Sequence, residues 1–122
     1  MFVYLNRNPF DANIDDCVIR AISLALNIDY MQVFDDLCKI ADELDSDIDR
    51  SDVFIKYLKS KNWGYYEPKF KMTVKKLTDL SDDPAIVVVN GHMTYVENGD
   101  TFDTWNCNRY NVKYLFLNDN DK

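Results

Sequence analysis

Three side chains in this 122-residue sequence are of the types that carry out nucleophilic acyl transfer: the thiol of Cys17, the imidazole of His92, the chain's only histidine, and the carboxylate of Asp103. A thiolate attacks a carbonyl carbon and an imidazole moves the proton. A carboxylate bonded to the second ring nitrogen fixes the ring's tautomer and orientation. Taken singly, each has a plainer reading: a cysteine is more often a small buried hydrophobe, and a histidine more often structural. Their conjunction, in this chain order and on elements able to present them to one another, points to a thiol hydrolase.

The elements that must position them follow from pattern. Asp15-Asp16 stands before Cys17, and Ile19, Ile22 and Leu26 recur at helical spacing, which predicts a helix with Cys17 in its first turn. Unpaired N–H groups and the positive end of the macrodipole there favour thiolate, whereas the two acids oppose it unless they point away or serve as caps. Asp29-Tyr30-Met31-Gln32 fits a capping box and opens a second helix with Val33, Phe34, Leu37, Cys38, Ile40, Ala41 and Leu44 as its buried side. Residues 42–52 read as an acidic loop. Ser51 is the expected cap of a third helix with Phe54, Tyr57 and Leu58 inward and Lys56, Lys59 and Lys61 outward, stopped at Asn62-Trp63-Gly64. Tyr65-Tyr66-Glu67 reads as a short strand, and Thr73 as the cap of a last short helix.

From Ala85 the period changes. Ala85-Ile86-Val87-Val88-Val89 reads as a central strand buried on both faces, and residues 92–97 lead into Asn98-Gly99, a two-residue hairpin signal. Such a turn sets Glu97 opposite Asp100, Tyr95 opposite Phe102, Thr94 opposite Asp103 and His92 opposite Trp105. His92, Thr94, Asp103 and Trp105 then share one side, with Asp103 diagonal to His92 and the indole shielding that pair from water. A bulge at the turn would move Asp103 to the other face. Residues 112–117 make a further strand, and residues 1–5 an edge strand. Helices first and an antiparallel sheet afterwards predict an α+β fold in one domain, 1–122.

Composition limits the alternatives. With 47% hydrophobic and 14% aromatic residues the chain can pack a core. Its net charge of −7 is uneven: residues 11–52 hold twelve acids against three bases, residues 53–80 seven lysines against two acids. That asymmetry speaks against nucleic-acid binding, which needs a continuous basic surface. Three cysteines without CxxC spacing and a single histidine give no reason to expect a disulfide framework, a metal or another cofactor. No stretch approaches the roughly 20 apolar residues of a membrane span, and residues 1–9 lack a charged leader, so a cytoplasmic protein with no membrane partner is expected.

Tyr4-Leu5-Asn6-Arg7-Asn8-Pro9, Asp16-Cys17-Val18-Ile19-Arg20-Ala21-Ile22, Gly91-His92 and Phe102-Asp103-Thr104-Trp105 frame nearly the whole chain. On these segments it resembles a group of short bacteriophage and bacterial proteins that look like papain-like cysteine peptidases. The resemblance implies a papain-like fold with Cys17 as nucleophile, His92 as general base and acid, and Asp103 as orienting carboxylate. It also implies a peptide or protein substrate and, for a phage-encoded protein, a bacterial host cytoplasm. Papain-like peptidases usually carry a Gln six residues before the nucleophile as an oxyanion donor. Here that position is Asp11, leaving Asn13, or else Asn8, as the substitute donor. The alternative is a weak or inactive papain-like scaffold, acting as an acidic phage factor that binds a host protein.

Overall fold

The computed structural model describes residues 1–10 and 15–121. The helical spacing around Cys17 forms α1 (Cys17–Leu26), which buries Ile19 and Ile22 and ends where Asn27 turns left-handed at φ 53°. Asp29 caps α2 (Tyr30–Leu44) by accepting a hydrogen bond from the Met31 N–H, and Asp45, at φ 51°, ends it. The third helix, α3 (Ser51–Ser60), buries Phe54, Tyr57 and Leu58 as its pattern predicts. Thr73 caps α4 (Val74–Leu80) through the Lys76 N–H.

The strands are β1 (Phe2–Tyr4), β2 (Trp63–Tyr66), β3 (Ala85–Val89), β4 (His92–Glu97), β5 (Asp100–Asp103) and β6 (Tyr114–Asn118). They form one six-stranded sheet in the order β1-β5-β4-β3-β6-β2. As expected for a central strand, β3 is buried throughout. Its alternation feeds two cores. Ile86 and Val88, with Met93, Tyr95 and Phe116, face α1, α2 and α3, while Val87 and Val89, with Val96 and Leu115, face Val74 of α4. The fold is therefore α+β.

Several expectations are corrected. The sheet is mixed and not antiparallel, because β1 joins β5 in parallel, with Phe2 beside Thr101. A parallel partner needs a long connection, and the rest of the fold supplies it. Cys38 is half-buried, to one side of the stripe of Tyr30, Val33, Leu37 and Ala41 that α2 buries, and Leu44, the last residue of the helix, is exposed. Arg50 holds the N-cap position of α3, with Ser51 already helical. Asn62 at φ 64° is the left-handed stop after α3, so β2 starts at Trp63, earlier than its tyrosines suggested. Among the described residues no single helix is long and apolar enough to cross a membrane.

Candidate active site

The hairpin follows the register that its turn residues predict. Asn98 and Gly99 both take positive φ, 54° and 81°, and the pairs Glu97–Asp100, Val96–Thr101 and Tyr95–Phe102 follow. Beyond Phe102 the ladder stops, but the shared face persists: His92 Nε2 lies 2.6 Å from Asp103 Oδ2, with both side chains buried. Burial alone would lower the His92 pKa. The hydrogen bond to Asp103 and contacts with the sulfurs of Cys107 and Cys17 outweigh it and push the ring up to about 11. Burial likewise works against ionised Asp103, yet the His92 bond and charge, Thr94 and the Thr104 N–H hold its carboxyl below the usual range. Asp103 Oδ1 accepts that Thr104 N–H at 2.7 Å. The pair rests as imidazolium and carboxylate.

Cys17 is the first residue of α1 and reaches the imidazole from the helix side. The first intrahelical bond runs from the Arg20 N–H to the Asp16 carbonyl, so the N–H groups of Cys17, Val18 and Ile19 lie ahead of the helical ladder. Cys17 and His92 both line an open cavity of about 620 Å³, which Asp47, Ile48, Asp49 and Ser51 line as well. Thiol and imidazole thus line one cavity that is open to solvent.

The two acids before the thiol do not act as caps. Asp15 is exposed, and Asp16, although at the N-cap position, makes no capping bond. Its buried carboxylate is instead ion-paired with Arg20 and accepts hydrogen bonds from Asn8 Nδ2 at 3.0 Å and Tyr30 OH at 2.6 Å. Arg20 Nη2 also lies 3.5 Å from Asp103 Oδ1. One guanidinium therefore joins the helix carrying Cys17 to the carboxylate behind the histidine, and it offsets negative charge that would otherwise oppose a thiolate at Cys17.

The other named residues divide. Trp105 stacks on His92 with ring centroids 4.4 Å apart, but from a bend after β5 and half exposed, so it covers one face of the ring from outside the strand pairing. Thr94 is fully buried, bonds weakly to the Phe102 carbonyl at 3.5 Å and supports Asp103. Asp11 and Asn13 lie outside the described residues. Asn8 is buried with its amide donating to Asp16 and its oxygen accepting the Phe10 N–H, so it is corrected from an oxyanion donor to a strut of the buried network.

Two features escape sequence reasoning. Asn90-Gly91, with Gly91 at φ 74°, is a second two-residue turn, pairing Val89 with His92 and placing the histidine at the first position of β4. Its Asn-Gly signal was available from the sequence. Cys107, fully buried, sits 3.9 Å from Asp103 Oδ2 and touches His92, and nothing in its local sequence announces this. His92, Asp103 and Cys107 offer ligand atoms within 4.8 Å of one another. Tetrahedral zinc would hold its nitrogen and oxygen ligands about 3.3 Å apart, given bonds of about 2.0 Å. The shorter His92–Asp103 contact is a hydrogen bond that a metal would have to break.

Comparison with known protein families, with curated proteins and with solved structures finds no match to this chain.

Proposed function

We propose that this protein is a cysteine hydrolase of peptidase or amidase type, built on a papain-like arrangement, with Cys17 as nucleophile, His92 as proton carrier and Asp103 as orienting carboxylate. The observation that carries the reading is the shared cavity wall of Cys17 and His92, with the far side of the ring held by Asp103 at 2.6 Å. A protonated ring beside the sulfur stabilises thiolate. The sulfur attacks an acyl carbon, a C–S bond forms and the carbonyl electron pair moves to oxygen, facing the N–H groups at the start of α1. Collapse expels the leaving amine, which takes its proton from His92. The neutral ring then removes a proton from water as the water attacks the thioester. The C–S bond breaks, a carboxylic acid leaves, and the thiolate–imidazolium pair is restored.

Alkylation by iodoacetamide near neutral pH tests this. Cys38 is the accessible comparator, and burial with Asp35 and Asp42 nearby raises its pKa. Cys17, although less exposed, is expected to react at least about 10-fold faster than Cys38, and His92→Ala to slow it by on the order of 10²-fold. Equal rates at Cys17 and Cys38 reject the proposal. The second reading, a binding scaffold for a host protein, draws on exposed carboxylates in residues 42–52. It is selected if Cys17→Ala leaves the biological effect whole.

A further inference from the structure

The acidic run of residues 42–52 is not one surface. Asp45 closes α2, Glu43 pairs with Lys56 at 3.3 Å, and Asp52 accepts from Ser46 Oγ at 3.2 Å. Asp47 and Asp49 do something else: both are exposed and both line the cavity that holds Cys17 and His92. Asp15, next to the nucleophile helix, lines it as well. None of these three carboxylates has an ion-pair partner among the described residues. Lys113 is the one lysine or arginine on the described wall, and the charge on the His92 ring is already balanced by Asp103. The other acid there, Asp16, is buried and neutralised by Arg20. Apolar surface from Phe54 and Val88 completes the groove.

We infer that the reactive groove takes a polypeptide segment bearing lysine or arginine close to the acyl group attacked by Cys17, with Asp47 and Asp49 as the residues that select it. This rests on the hydrolase reading, since the selected group must lie within reach of the thiol. A cleft lined by one sign of charge over low-dielectric walls concentrates counter-charged ligands and repels like-charged ones. The methylene stem of a lysine or arginine suits the apolar surface while its head stays among the carboxylates. An acidic segment would meet three uncompensated charges and one lysine.

The test uses three matched tripeptidyl acyloxymethyl ketones carrying Lys, norleucine or Glu, with iodoacetamide as a reference of neutral charge. Labelling of Cys17 is followed by peptide mapping. In about 0.15 M salt the Lys probe should label Cys17 on the order of 10-fold faster than the Glu probe, with norleucine between. The preference should shrink in about 1 M salt, where the Debye length falls to about 3 Å. Asp47→Asn/Asp49→Asn should cut the Lys-to-Glu ratio at least about threefold, whereas Asp35→Asn/Asp83→Asn, the same charge change outside the groove lining, should leave it intact. Equal labelling by the Lys and Glu probes, or an equal response in the two double variants, overturns the inference even if Cys17 reacts rapidly with iodoacetamide. A Cys17 no faster than Cys38 toward iodoacetamide overturns the hydrolase reading, and the inference falls with it.

Discussion

Asp16 and Asp103 differ from Asp47 and Asp49 only in where the fold puts them. The first two are buried, and each is held by several donors, with Arg20 between them. The second two stand exposed on a groove wall and form no ion pair among the described residues. A carboxylate taken out of water with its partners locks distances. One left in water shapes only the field that an approaching ligand feels. The net charge of −7 adds both kinds together, and so conceals the division of labour.

Removing the cation tests the buried half most severely. Arg20→Leu leaves Asp16 buried without a cation and Asp103 with His92 alone, and should destabilise the fold by about 3–5 kcal/mol, read from urea unfolding. A loss below about 1 kcal/mol would show that the two carboxylates do not depend on the guanidinium. Arg20→Lys should recover part of the loss, because a point charge cannot fork toward two acids.

The next effect is in pH. The native His92 pKa lies near 11 against about 6.5 for an unfolded imidazole. Below about 6.5 both states carry the proton and the stabilisation is fully present. Between the two values the native state keeps a proton that the unfolded chain has released, so stability falls as pH rises, by at most about 1.4 kcal/mol per unit. Unfolding midpoints at about pH 6, 7.5 and 9 should show this slope for the native protein and lose it in His92→Gln. A slope unchanged by that substitution would assign it to other groups.

The smallest effect is expected on the exposed side. Asp47→Asn and Asp49→Asn should each change stability by no more than about 0.5 kcal/mol, the usual range for surface positions without partners. A larger loss in either would mean that the groove wall is structural, and the contrast with Asp16 and Asp103 would collapse.

What could be read in advance was local. Asn98-Gly99 dictates the register of β4 and β5, and that register puts Asp103 on the same face as His92. The helical start at Cys17 is also a short-range pattern. What could not be read depends on packing between distant segments. Arg20 meets Asp103, Cys107 closes under the His92–Asp103 pair, and the 47–49 segment reaches the thiol's cavity, all across element boundaries that no period encodes. Asp16 misled because acids before a helix usually cap it. Here burial beside Arg20, Asn8 and Tyr30 outweighs that habit. The parallel pairing of β1 was hidden for the same reason, since its partner strand begins near residue 100.

That pairing bears on how the protein comes into being. β1 is hydrogen-bonded along β5, and the Leu5 N–H reaches the Asp103 carbonyl, so the edge of the strand carrying Asp103 that β4 leaves open is closed by residues 2–5. During synthesis the sulfur emerges on its helix well before the imidazole and acid exist. A half-made molecule therefore holds Cys17 without either partner, and the three side chains are fixed together only when β1 meets β5, segments far apart in the chain whose closure is slow because of its span.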